Sequence, residues 1–327
     1  MCQLPIPSAE RTTSAPSAGV KPAFSCRRHN RTTFVLQEDD KWGEQPLIYA
    51  KLYPRHIVVI DSGCGGSLHS PGRDITLRRF LETVPVADNG DQPLNPSGKR
   101  QYTLICTHCH YDHIAGIPEF MSAPAIAVWA SQLGRSYMTD SAKFVSASLC
   151  CYVGMPLPEF TVTNWANDSV HVTASGESGE SEDLGLVIYQ TPGHMPDEVA
   201  IWDAEERYLY VGDTMYQHAP ILFPEGGSFL QYGKTLERLQ TLIREWNCEN
   251  GLGQVKLSAG HLTEAVDAAT FVEKVAHFYY RVMRSEVMPV QLEEACAWFG
   301  GQQAVVFKEG EDDVQFMGLK TSFEQLA

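Results

Sequence analysis

Apolar residues follow two rhythms along this chain of 327 residues. Residues 32–36 and 47–50 are short β-prone runs, and residues 55–60 end in the unbroken run Ile57-Val58-Val59-Ile60. An apolar run without alternation marks a strand covered on both faces. It stops at Asp61-Ser62-Gly63-Cys64-Gly65-Gly66, where glycines permit backbone angles closed to other residues. The spacing then changes. Ile75, Leu77, Phe80, Leu81 and Val84 recur at helical intervals and predict a helix over 74–84 capped by Asp74. A polar loop, 85–99, leads to a β-prone run at 101–106. Residues 125–129 read as a strand, while the pattern over 131–152 is mixed, with helix as one reading. Residues 170–173 and 184–190 predict a hairpin across an acidic turn, 175–183. A second hairpin, 199–202 with 208–211, turns at Asp203-Ala204-Glu205-Glu206. Leu236, Leu239, Leu242, Ile243 and Trp246 share one face of a helix over 235–246. A strand at 255–258, a long helix over 265–284, a short helix near 292–299 and a strand at 304–307 follow. Strands precede and separate helices in two sets. That order fits two sheets packed face to face with helices outside, in one α/β domain without internal repeat.

Composition narrows the class. No apolar run approaches the roughly 20 residues of a membrane span. The first 25 residues are rich in Ser, Thr, Pro and Ala and lack the apolar core of a signal peptide. Residues 1–27 are therefore expected to be a flexible segment, and residues 28–327 the single folded domain with its C-terminal helices. The net charge of −15 argues against a nucleic-acid surface, which needs clustered Lys and Arg. Nine cysteines, an odd number in a chain this long, read as reduced thiols and point to a cytoplasmic protein. Oligomeric state is not legible.

The densest chemistry lies at Thr107-His108-Cys109-His110-Tyr111-Asp112-His113. Alternate side chains of a strand share a side, so His108 and His110 can point the same way. Past the strand end, Asp112 and His113 can face back from a turn. One loop then offers imidazoles and a carboxylate, the donors of zinc and its first-row neighbours.

His108-x-His110-x-Asp112-His113 resembles the signature of the metallo-β-lactamase fold superfamily. The rest of the family's ligand set follows in order: His194 in Gln190-Thr191-Pro192-Gly193-His194, Asp213 in Tyr210-Val211-Gly212-Asp213-Thr214, and His261 in Ser258-Ala259-Gly260-His261. Asp61 resembles the structural aspartate that ends an early strand and braces the metal loops. The resemblance implies an αββα four-layer sandwich. It implies two zinc ions per chain, with iron or manganese also compatible: His108, His110 and His194 hold one, Asp112, His113 and His261 the other, and Asp213 bridges them. It further implies a metal-bridging hydroxide that attacks a carbonyl carbon, with Asp112 passing a proton to the leaving group.

Subclass follows from single positions. Histidine at 110 is unlike the di-iron redox branch, which has glutamate there. Aspartate at 213 is unlike the antibiotic-hydrolysing members. Tyr216, three places after Asp213, matches a tyrosine that in lactonases of the superfamily points at the substrate carbonyl, so its hydroxyl is expected to donate to the oxyanion. The apolar, irregular stretch 219–224, with Phe229 and Tyr232, is expected to wall a pocket for a small-molecule substrate. His218, close to Asp213 in the chain, is a further candidate for the wall. A looser likeness connects the chain to fungal members, including lactamases that open benzoxazolinone-type rings. The expected activity is opening of a small lactam or lactone. The alternative is a glyoxalase-II-like thioesterase, which would want a cationic subsite for its carrier; no compact Lys/Arg cluster follows His261.

Overall fold

The computed structural model describes residues 22–68, 75–175, 180–249, 253–292, 299, 302–310 and 314–323. The first sheet has seven strands in chain order: β1 (Phe24–Arg28), β2 (Thr33–Glu38), β3 (Leu47–Leu52), β4 (His56–Ile60), β5 (Gln101–Ile105), β6 (Ala127–Ser131) and β7 (Asn164–Ala166). The second holds β8 (Val170–Ser175), β9 (Ser181–Gln190), β10 (Val199–Asp203), β11 (Tyr208–Tyr210), β13 (Lys256–Ser258) and β14 (Val266–Asp267), in the order β14-β13-β11-β10-β9-β8. A third sheet runs β12 (Ala219–Phe223), β17 (Val314–Leu319), β16 (Ala304–Phe307), β15 (Val290–Gln291).

The unbroken run of β4 explains itself in the packing. Val58 and Ile60 face the second sheet, where they meet Leu186, Ile188 and Ile201. Ile57 and Val59 face outward onto Leu77 and Phe80 of α1 (Leu77–Thr83). On the far side, Trp202, Leu209 and Leu257 of the second sheet are covered by α5 (Phe229–Asn247) and α6 (Ala268–Met283). Helices outside two facing sheets are the expected αββα layers.

Several boundaries differ from expectation. The first strand begins at Phe24, inside the segment 1–27 expected to be flexible; residues 1–21 lie outside the described residues. Helix α1 starts at Leu77, and its N-cap Thr76 makes no side-chain cap bond; Asp74, the expected cap, lies outside the described residues. So do part of the acidic turn (176–179) and most of the short helix near 292–299 (293–298). Residues 131–152 break into short pieces, among them α3 (Arg135–Met138) and α4 (Ser141–Ala147), the latter capped by the Asp140 carboxylate. Helix α2 (Tyr111–Ile114) lies in the histidine cluster. The stretch 219–223, expected to be irregular, is β12, and it pairs in parallel with β17, which ends in α7 (Lys320–Phe323). Among the described residues no helix is long and apolar enough to cross a membrane.

Candidate metal centre

The loop after β5 carries His108 and His110, and the first turn of α2 carries Asp112 and His113. His194 follows β9, Asp213 follows β11 and His261 follows β13, so ligand candidates come from both sheets at one end of the sandwich. All seven are buried.

Their donor atoms converge in two groups. His108 Nε2, His110 Nδ1 and His194 Nε2 form a triangle with edges of 2.9, 3.2 and 3.4 Å. A tetrahedral centre with bonds of about 2.0–2.1 Å has edges of about 3.3 Å. In the second group, Asp112 Oδ2 lies 3.5 Å from His113 Nε2 and 3.1 Å from His261 Nε2. Asp213 stands between the groups: Oδ1 is 3.4 Å from His113 Nε2 and 3.6 Å from His261 Nε2, while Oδ2 is 4.0 Å from His194 Nε2. His113 Nε2 and Asp213 Oδ1 are buried without a hydrogen-bond partner. Buried polar atoms are seldom orphaned, and a cation between them satisfies both, so the residues fit a metal.

The backs of the rings are fixed as well. His113 Nδ1 meets Asp61 Oδ2 at 2.8 Å, and Asp61 also accepts from the Thr107 backbone N–H and hydroxyl at 2.8 and 2.9 Å. Asp61 thus braces the loop, as its place in the sequence suggests. His194 Nδ1 lies 2.8 Å from the Leu222 carbonyl and His261 Nδ1 2.9 Å from that of Glu44. A carbonyl or carboxylate on one ring nitrogen assigns the proton there and leaves the other lone pair for the metal.

Electrostatics divides the groups. Burial and neighbouring imidazoles hold His108 and His110 well below the usual imidazole range, and burial lowers His194. For the second pair burial pulls down too, but carboxylates win: Asp112 and Asp213 hold His113 well above its usual range, and Asp213 and Asp112 push His261 up to about 9. Those imidazoles in turn keep Asp112 and Asp213 ionised against burial.

Residues 53–245 match the family model of the metallo-beta-lactamase superfamily. The chain belongs to that superfamily. It is 31% identical over 289 residues to a protein from Aspergillus versicolor named as a putative transcription factor, covering 88% of this chain and 84% of the relative. It is 29% identical over 152 residues to a hydroxyacylglutathione hydrolase of Methylobacterium nodulans, covering 46% of this chain and 48% of that one. It is 25% identical over 189 residues to the human acyl-coenzyme A thioesterase MBLAC2, covering 57% and 64%. Among solved structures, a metallo-beta-lactamase from Erythrobacter litoralis superposes with a TM-score of 0.51 at 12% identity, over 78% of this chain and 96% of that one. At that identity the likeness shows the fold alone.

In this metallo-beta-lactamase domain a cavity of about 110 Å³ opens on the second group. Asp112, Asp213 and His261 form its floor, and Leu149, Leu222 and Leu262 its apolar wall. Tyr216 lines it, yet its hydroxyl donates to the Pro220 carbonyl at 3.0 Å. The one proton expected at an oxyanion is therefore held by β12. Phe229 and Tyr232, expected in the wall, are instead buried in the aromatic core with Phe223 and Phe316. His218 is not among the residues lining the cavity.

Two acids escaped the sequence reading. Glu198 is fully buried, its Oε1 accepts the Asp213 N–H at 3.1 Å, and its Oε2 lies 3.3 Å from His108 Nδ1. Burial and the Asp213 charge raise its carboxyl well above the usual range. Glu44 lines the cavity and accepts from the Tyr111 hydroxyl at 2.9 Å; burial and the charge of Asp112 push it up to about 7. The signal for Glu198 was its place four residues after a ligand histidine. For Glu44 no local signal exists.

Proposed function

We propose that this superfamily hydrolase opens small lactam or lactone rings with a pair of metal ions. The supporting observation is the Asp213 carboxylate, set between two ligand groups beside a small apolar cavity. His108, His110 and His194 would hold one ion and Asp112, His113 and His261 the other, with Asp213 facing both. Zinc suits these donors, as do iron and manganese. Bound there, the ions supply a hydroxide at neutral pH and polarise the carbonyl oxygen. The chain does the rest. Leu149, Leu222 and Leu262 exclude water from the ring. Asp112, ionised and at the cavity floor, can carry a proton to the leaving nitrogen or oxygen. Tyr216 can donate to the developing oxyanion once it releases Pro220.

The names of two relatives favour a second reading, hydrolysis of an acyclic thioester. Glutathione and coenzyme A are anionic carriers, however, and among the described residues no Lys or Arg lines the cavity. A nucleic-acid role, which the name of the Aspergillus versicolor relative brings up, finds little support in a net charge of −15. The test is a turnover panel of lactones, lactams and thioesters on one batch of protein with its metal content measured. Ring opening is expected; turnover of thioesters alone would overturn the reading.

A further inference from the structure

We propose that the substrate extends beyond its scissile ring, with a hydroxylated aromatic arm that lies in a second cavity between α4 and the C-terminal segment. The proposal rests on the ring-opening reading of the neighbouring site. Size separates the two spaces. A cavity of about 150 Å³ holds one benzene. The cavity of about 110 Å³ over Asp112, Asp213 and His261 therefore takes one small ring and little more. Whatever else the substrate carries must leave it. The second cavity, about 290 Å³, has room for an arm built on a substituted ring. His110 and Leu149 line both cavities, so the two spaces meet there. Leu149 is buried, yet its backbone stands at φ +59°, a left-handed conformation that is costly for a branched side chain. Neighbouring backbone enforces it. The Leu149 N–H meets the Ser146 carbonyl at 3.3 Å and the Leu149 carbonyl accepts from the Tyr152 N–H at 3.0 Å. The Ser148 carbonyl accepts the Tyr111 N–H at 2.9 Å, which ties this turn to α2. The strain holds an apolar side chain at the junction of the two cavities.

The walls of the second cavity supply the chemistry of the arm. Tyr152, an exposed aromatic residue, lines it, and Phe299 and Leu319 line it too. Phe299 and Leu319 pack in one cluster with Leu222, which lines the first cavity, so a single apolar cluster backs both spaces. The rings of Tyr152 and Phe299 suit an aromatic partner. The Ser146 hydroxyl and the Glu225 carboxylate, both in the lining, stand 3.5 Å apart, at the outer limit of a hydrogen bond. A phenol hydroxyl can donate to Glu225 and accept from Ser146, giving each a closer partner than the other provides. Phe299 and Leu319 lie beyond residues 53–245, the part that matches the superfamily model. This subsite is therefore built in part by residues outside the shared domain.

The test compares γ-butyrolactone with its α-benzyl and α-(4-hydroxybenzyl) derivatives, on protein as purified with its metal content measured. Wild-type kcat/KM should rise in that order, about 10-fold for the aromatic ring and a further ~3-fold for its hydroxyl. Ser146→Trp fills the second cavity from an exposed position, and Tyr152→Ala removes part of its wall. The ratio of arm-bearing to bare lactone should fall to about 2-fold or less in Ser146→Trp and drop about 3-fold in Tyr152→Ala. Melting curves verify both folds, and a loss of metal would slow all three substrates and leave the ratio alone. Equal kcat/KM for the three in the wild type, or a ratio unchanged in both variants, would overturn the proposal. If the wild type opens none of the three, the ring-opening reading fails, and the second cavity is judged by calorimetry on the intact lactones. Tighter binding of the hydroxybenzyl lactone than of γ-butyrolactone, lost in Ser146→Trp, would support the arm site. Equal affinity of the wild type for the two, including none for either, would overturn it.

Discussion

Replacing Tyr216 by Phe removes one hydroxyl and leaves the ring against His261, whose centroid lies 5.8 Å away. The magnitude follows from where the proton sits. A lone oxyanion donor contributes ~2.7–4 kcal/mol to the transition state. The hydroxyl must first leave the Pro220 carbonyl, a bond of 3.0 Å with a net contribution of about 1 kcal/mol. The difference, about 2–3 kcal/mol, converts to roughly 30- to 150-fold at 1.36 kcal/mol per decade. A cation acting on the same oxygen shares the effect, so kcat should fall about 10- to 100-fold. Loss of the Pro220 bond also costs about 1 kcal/mol of stability, or roughly 2 °C in Tm. The assay is steady-state kinetics on a ring substrate, with Tm and metal content taken from the same samples. A 2 °C drop with kcat and KM unchanged would refute the catalytic role and leave Tyr216 as a clamp on β12.

Metal analysis of protein purified without chelator should find two ions per chain, and Asp213→Ala should lose at least one of them with a rate loss of several orders of magnitude; full activity with a single ion would refute the paired site. Gly260→Ala should lower metal affinity, because a Cβ there would lie 2.7 Å from both Asp213 Oδ1 and His113 Cε1; titration of stripped protein with Zn2+ checks this, and wild-type affinity would contradict it. The candidate ligand histidines of metal-free protein should contribute most to stability near pH 6.5, and the protein should lose stability from there to pH 9. His113 and His261 have raised pKa values, His261 about 9, so their contribution is present below the unfolded value near 6.5 and fades as pH rises through 9. His108, His110 and His194 are lowered, so they stay neutral in the fold while the unfolded chain takes up protons, and the histidine contribution falls again below 6.5, against the opposite trend of the raised Glu44 and Glu198 carboxyls. Melting curves of chelator-treated protein from pH 5 to 9 test it; a Tm that climbs steadily through this range would refute the assignment.

The convergence of donors was legible because its chemistry is local. Four donors within six residues leave little else for them to do, and His194, Asp213 and His261 each sit at a strand end marked by glycine. The buried strands were legible for the same reason: Val58 and Val59 are both apolar because both faces of β4 are covered. What was illegible depends on distant partners. Pro220 removes a backbone donor, so 219–223 did not read as a strand; only its parallel alignment with β17, far along the chain, makes it one. Glu44 and Glu198 look like any solvated acid until two sheets bring them to the centre. Tyr216 lines the cavity, but the acceptor that holds its proton belongs to the same misread segment.

β12 has a consequence for how the protein comes into being. Its Leu222 carbonyl orients His194, and β12 is held in its sheet by β17. On the ribosome every ligand, from His108 to His261, emerges before β17 does, at about 5–20 residues per second. A nascent chain therefore displays all its donors while the strand that steadies one of them is still unmade. A message cut short before residue 314 would keep every candidate donor but lose the strand that pairs with β12 and so steadies the carbonyl behind His194.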